Sequence, residues 1–386
     1  MKSQKQNIRI VYPFPMKLSN GYTYMLSIMQ FLNALSNEVN VDLICLDQEK
    51  EIREYLTKKL SLKVGRHLNV VSVKNSFIGI KSNKLFFYKK IVNYLNKLSD
   101  EKIYIYTRDI KQMKLLLKKY STNNYVFKFI FESHQILSQN YCREGKYKNA
   151  EEFKKIEKLV FGKVDYLISI SNTLSSEIEK IYPNSQRKQI VLPVGFDKRF
   201  MSLNNEKKKY DIIYSGNFSS WKGIDTLLKS LEILHKKYNI EPKVLLVGVH
   251  SKEKEYYLDQ AKSMSIKNIT ILTRQDHKKI FDLVGQSRIG ILSNNFQGDG
   301  MLFTSPLKLF EYLGAGLRVV VSRLPSIVST INEEYVYFAI PESPSSFAHM
   351  IITALDDTNF DASRVREYLK QFTWESRVQR FLEFLE

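Results

Sequence analysis

Short apolar runs alternating with longer helical segments predict an α/β protein made of two Rossmann-like domains, each a parallel sheet with helices on both faces. Three observations lead to this fold class. The runs have strand length, and the segments between them carry apolar residues at helical spacing. The runs also form two series, separated by the polar stretch Lys198 to Lys209. Finally, 386 residues exceed one ordinary core, and 44% hydrophobic content is ample for two buried sheets.

Taken in order, the first series predicts strands at Ile8–Tyr12, Val41–Leu46, Asn69–Val73, Ile103–Tyr106, Phe127–Phe131, Tyr166–Ile170 and Ile190–Pro193. The second predicts Asp211–Ser215, Lys243–Val247, Ile269–Leu272, Ile289–Leu292, Leu317–Val321 and Val336–Ala339. Helices are expected between them, as at Gly21–Ser36 and Asp225–Tyr238. The expected domains are 1–198 and 199–360, with 361–386 as terminal helices that close the structure around Trp374, Phe381 and Phe384. Ligands of such sheets bind beyond the carboxyl ends of the strands, so the expected site is a cleft between the domains.

The net charge of +19 is unevenly placed. Residues 1–200 hold 35 Lys and Arg against 18 Asp and Glu, whereas 201–386 hold 24 against 22. The first half therefore suits an anionic lipid surface or an anionic acceptor, although a lysine-rich solvated surface has the same composition. The basic segments match no nucleic-acid reader module, which makes nucleic acid the least expected partner. Two cysteines, Cys45 and Cys142, cannot build a disulfide framework, and no Cys/His spacing suggests zinc. With no signal peptide or membrane-spanning run in view, the expected location is the cytoplasm, with peripheral attachment to the inner face of the plasma membrane consistent with the charge.

The run from Ser305 to Gly316, Ser-Pro-Leu-Lys-Leu-Phe-Glu-Tyr-Leu-Gly-Ala-Gly, reads as a helix entered at Ser305 and Pro306. Its open amino end attracts phosphate, and Glu311 leans back toward that end, within reach of a hydroxylated group on the same ligand. A diphosphate and a sugar ring fit this pair, and so, read alone, does an ordinary tightly packed helix. The strand and turn at Tyr210 to Asp225 place Gly216 where a backbone can approach a ligand and Lys222 near the next helix start. Neither a P-loop nor a Gly-x-Gly-x-x-Gly fingerprint is present, which disfavours a dinucleotide cofactor. Nor is there an Asp-x-Asp, so a metal-held donor has no local support.

In this order, the segments resemble the retaining glycosyltransferases of the GT-B fold, family 4 or group 1. The resemblance rests on Ser-Gly-Asn-Phe-x3-Lys-Gly at 215–223, Val-Leu-Leu-Val-Gly at 244–248, the Ser305 to Gly316 run, and Val-Leu-Pro-Val-Gly-Phe-Asp at 191–197. Phe131-Glu-Ser-His134 and Asp165 to Ser171 also look like family segments. The resemblance implies an acceptor on the first domain and a nucleotide-sugar donor on the second, a co-substrate rather than a cofactor. Lys222 would then meet the diphosphate, Glu311 the ribose hydroxyls, and the amides of Leu307 and Lys308 the phosphate. Thr273, Arg274 and Gln275 would lie against the base, Gly21 would approach the phosphate, and His134 would stand near the transferred sugar.

Three departures from the family pattern are visible. Phe303 replaces a frequent Glu, which shifts sugar contacts to Asp299 or Thr304; Asn217 replaces an Arg in the diphosphate turn; and a Gly-Gly is reduced to Asn20-Gly21. The resulting expectation is a metal-independent transferase that moves a sugar to a glycan or lipid-linked acceptor in bacterial surface polysaccharide synthesis. A sugar-nucleotide epimerase or phosphorylase on the same fold would be distinguished by its product. A non-catalytic membrane-binding subunit would bind surfaces without turning over a donor.

Overall fold

The computed structural model describes residues 8–20, 23–73, 76–77, 80–81, 84–98, 102–120, 127–184, 186–203, 207–296 and 307–386. Two compact units result. One comprises residues 1–170, 174–192 and 374–386, and the other 171–173 and 193–373. The division thus falls at Leu192/Pro193, and the terminal helical region is itself divided after Thr373.

The first unit contains β1 (Ile8–Pro13), β2 (Asn40–Cys45), β3 (Leu68–Ser72), a small hairpin of β4 (Ser76–Phe77) and β5 (Ile80–Lys81), β6 (Lys102–Thr107), β7 (Phe127–Ser133), β8 (Tyr166–Ser169) and β9 (Lys188–Val191). Apart from the hairpin, these strands form one sheet in the order β3-β2-β1-β6-β7-β8-β9, parallel throughout. The second unit contains β10 (Tyr210–Ser215), β11 (Val244–Val249), β12 (Ile269–Thr273), β13 (Ser287–Leu292), β14 (Arg318–Ser322) and β15 (Tyr337–Ala339). Its order is β12-β11-β10-β13-β14-β15, again parallel. In both sheets the strand order reverses beside the first strand, which places a ligand crevice beyond the carboxyl ends of β1/β6 and of β10/β13. Every strand expected from the two series is present. The β4–β5 hairpin was not foreseen, because two-residue strands carry no periodicity.

The helices that matter for the site are α1 (Thr23–Leu35), α2 (Lys84–Leu95), α3 (Ile110–Tyr120), α4 (Leu137–Arg143), α5 (Tyr147–Lys163), α6 (Ile224–Tyr238), α7 (His277–Gly285), α8 (Leu307–Gly314), α9 (Pro344–Asp356), α10 (Ala362–Leu369) and α11 (Trp374–Leu385). α6 buries Ile224, Leu227, Leu228, Leu231 and Leu234 against Ile212, Val244, Leu246 and Phe347. Each such side chain contributes about 1.5–3 kcal/mol by leaving water. α11 belongs to the first unit because its apolar face completes that core. Phe381 meets Phe31 and Tyr106, each at 5.5 Å between ring centroids, and Trp374 Nε1 donates to Gln30 Oε1 on α1 at 3.1 Å. No described helix is long and apolar enough to cross a membrane.

Candidate active site

In the second unit, α8 is seated on the sheet by Tyr312. Its hydroxyl accepts from the Ser215 amide at 2.7 Å and lies 2.9 Å from Ser215 Oγ, at the end of β10. Gly290 on β13 makes room for that ring, since a Cβ there would fall 2.2 Å from Tyr312 Cδ2. The exit of α8 is fixed by Arg366 of α10, whose Nε donates to Gly314 O at 3.0 Å. Glu311 is thereby held at 3% exposure. No hydrogen bond or ion pair to another described residue answers its carboxylate. Burial pushes its pKa up to about 7, against a partial pull downward from Lys308 and a further rise from Asp197.

Lys222 stands in the single turn Ser220–Lys222 that leads into α6. The turn closes at Gly223, which has φ +65°; a Cβ there would lie 1.9 Å from Ser293 O, so both conformation and space require glycine. Three hydrogen bonds pin the turn to the segment after β13: Ser293 Oγ to Lys222 O at 3.0 Å, Asn295 N to Trp221 O at 2.8 Å, and Asn295 Nδ2 to Ser220 O at 3.0 Å. The Lys222 ammonium lies 3.6 Å from the centroid of the Trp221 ring. No described carboxylate pairs with it, and burial, with the like charge of Lys308, lowers its pKa to about 7. Lys308 and Leu307 form the described start of α8, Lys308 half-buried and Leu307 buried.

The structure therefore brings Lys222, Lys308 and Glu311 into one electrostatic neighbourhood. Gly216 and Asn217 follow β10 directly. Gly216 has an internal reason to be glycine, because a Cβ would meet the Tyr214 hydroxyl at 2.7 Å, and that hydroxyl donates to Asn217 O at 2.7 Å. Asn217 is exposed. Thr273 ends β12, Arg274 is exposed, and Gln275 Nε2 donates to Thr273 O at 3.0 Å. Gly21, Asp299, Phe303, Thr304, Ser305 and Pro306 lie outside the described residues.

The sequence reading missed His277. It opens α7 behind the Asp276 N-cap, its ring is nearly perpendicular to that of Phe200 at 6.0 Å between centroids, and its Nε2 is buried without a hydrogen-bond partner among the described residues. Burial lowers its pKa to about 4, with Asp197, Arg199 and Lys308 also acting on it. Its only sequence signal was its position two residues after Gln275.

In the first unit, His134 follows β7 with its side chain 33% exposed, and its Nε2 lies 2.8 Å from Glu132 Oε1. Glu132 is fully buried. It is met by Arg108 at 2.8 Å, by Arg377 of α11 at 3.1 Å and by the Tyr106 hydroxyl. Burial raises the Glu132 pKa, but Arg377 and His134 outweigh this and hold it below the usual carboxylate range. Burial and the positive charge of Arg108 lower that of His134. Arg108 and Arg377 come from distant stretches of chain, and nothing in the sequence pairs them with Glu132.

Residues 196–372, which carry the Lys222 turn and α8, match the family described as glycosyl transferases group 1. The second unit carries a group 1 glycosyltransferase domain. An uncharacterized glycosyltransferase of Methanocaldococcus jannaschii is 22% identical to it over 259 residues, a match spanning 63% of this chain and 64% of that protein's own length. Sucrose-phosphate synthase from Thermosynechococcus elongatus shares the fold with a TM-score of 0.72, at 14% identity over 98% of each chain. Anabaena HepE, solved in complex with UDP, gives a TM-score of 0.70 at 14% identity, over 98% of this chain and 99% of its own. The fold is therefore GT-B.

Proposed function

We propose that this protein is a glycosyltransferase that moves a sugar from a nucleotide diphosphate to a glycan or lipid-linked acceptor in surface polysaccharide synthesis, with retention of configuration and without a divalent ion. The observation that carries the reading is the grouping of Lys222, which pairs with no described carboxylate, and Lys308 with the buried Glu311, whose carboxylate has no hydrogen-bond or ion-pair partner among the described residues. Such a group is costly in an empty protein and fits a ligand carrying both anionic phosphates and hydroxyls. On this reading Lys222 and the amides of Leu307 and Lys308 stabilise the leaving diphosphate, an electrostatic contribution that can dominate catalysis. Glu311 accepts from the ribose hydroxyls, Gly216 and Asn217 flank the phosphates, and Thr273, Arg274 and Gln275 border the base. His134 stands at the reacting sugar.

A panel of nucleotide sugars, assayed in chelator with and without a glycan acceptor, tests this reading. One donor is expected to release its diphosphate and glycosylate the acceptor in chelator, with His134→Ala lowering turnover more than donor affinity. Activity lost in chelator and restored by magnesium or manganese would count against the chemistry. A released, altered sugar in place of a glycoside would make the protein an epimerase or phosphorylase.

The charge of the first half supports docking on an anionic membrane at the cytoplasmic face. α2 and α3 pack side by side, with Tyr88 Oη donating to Leu115 O at 2.9 Å and Tyr120 Oη to Asn96 Oδ1 at 3.0 Å, and Lys89, Lys90, Lys118 and Lys119 are exposed on them. Each basic side chain near such a surface contributes about 1 kcal/mol, screened over about 8–10 Å at ordinary salt. Sedimentation with anionic vesicles should therefore fall with salt and with reversal of these four charges. Equal binding to neutral vesicles would leave the charge as a solubility feature.

A further inference from the structure

We infer that Glu132 is a positioning residue for His134: its buried carboxylate keeps the imidazole proton on Nε2 and leaves Nδ1 bare to accept a hydrogen bond from a hydroxyl of the transferred sugar. The inference rests on the reading that puts His134 at the reacting sugar. Glu132 is fully buried, yet Arg108, Arg377 and the Tyr106 hydroxyl all converge on it, so it is ionised. An ionised carboxylate only accepts hydrogen bonds, so at 2.8 Å the donor must be His134 Nε2. Burial and the nearby guanidinium of Arg108 keep the imidazole neutral, and a neutral imidazole protonated at Nε2 has an unprotonated Nδ1.

Charge balance does not require this contact. Two guanidiniums and a phenol already satisfy the buried carboxylate, while the His134 ring is one-third exposed. What the fourth contact adds is a fixed ring and a fixed tautomer. Arg377 arrives on α11, so the end of the chain braces the same carboxylate and, through it, the ring.

Nitrogen NMR of the full-length protein reads the tautomer directly. A protonated Nε2 and a bare Nδ1 on His134 are expected; an even mixture, or a proton on Nδ1, overturns the inference. Glu132→Gln should release a tautomer mixture and lower kcat about tenfold or more, with donor KM little changed. That variant leaves two guanidiniums without their counter-charge and can fail to fold, so a second pair decides independently. Asparagine places an acceptor near the Nδ1 position and glutamine near Nε2. His134→Asn should therefore keep at least about tenfold more kcat than His134→Gln. Equal losses, or the reverse order, overturn the inference. If His134→Ala leaves turnover unchanged, the placement of His134 at the sugar fails instead. If that variant is inactive and the wild-type tautomer is mixed, only the role of Glu132 fails.

Discussion

Replacing Glu311 by glutamine is expected to stabilise the ligand-free protein at pH 8 while weakening its hold on a nucleotide sugar. The carboxyl ionises at about 7 in the folded chain, against an ordinary 4.5. Below pH 4.5 it is protonated in both folded and unfolded states, and its burial as an acid costs little extra. Between 4.5 and 7 the unfolded chain sheds a proton that the folded chain keeps, so stability falls as pH rises. Above 7 the cost is fully present, on the order of 3 kcal/mol. Glutamine fills the same space without that cost, so denaturant unfolding should show the variant gaining stability at pH 8 and little at pH 4.5. A carboxylate retained for structure would give the opposite result, a loss at pH 8. The binding side has the other sign: a lost charge-assisted hydrogen bond from a ribose hydroxyl costs about 1.5–3 kcal/mol, or roughly ten- to a hundredfold in affinity.

The second large effect belongs to Lys222. With its pKa lowered to about 7, the ammonium is charged below neutrality and loses its proton above it, so affinity for a nucleoside diphosphate should fall as pH rises from about 7 to 9. Arginine keeps its charge throughout that range, and Lys222→Arg should flatten the alkaline fall even where its longer fork lowers the maximum. On the acid side the fall comes from Glu311, which takes up a proton below about 7 and can no longer accept two hydroxyl hydrogen bonds as a carboxylate. The wild-type profile is thus expected to peak near neutrality, with each limb removed by a different substitution. An unchanged alkaline limb in Lys222→Arg would place the titrating group elsewhere.

Much of this was legible in the sequence because it rests on local pattern. Runs such as Ile289–Leu292 and Leu317–Val321 are apolar enough to be buried on both faces, and both strands formed where expected. The Lys222 turn and Glu311 were visible because each lies at a strand-turn-helix junction within one short segment. The Glu132 cluster was not, since its guanidiniums arrive from the residue after β6 and from α11 and meet only after the sheet and the terminal helix have formed. Trp374 and Phe381 announced a packed helix, but only the fold shows that it completes the first unit, leaving α10 to brace α8 in the second. His277 was passed over because a histidine at a helix start has no distinctive spacing. Its packing on Phe200, across a wide sequence gap, is a tertiary fact.

Calorimetric titration of the preferred nucleotide sugar into wild type, Lys222→Ala and Glu311→Ala, each confirmed folded, tests the central claim most directly. Each substitution should weaken donor binding by about ten- to a hundredfold near pH 7, with Lys222→Ala also weakening the free nucleoside diphosphate by a similar factor. Wild-type affinity in both folded variants would contradict the assignment of the donor to this site.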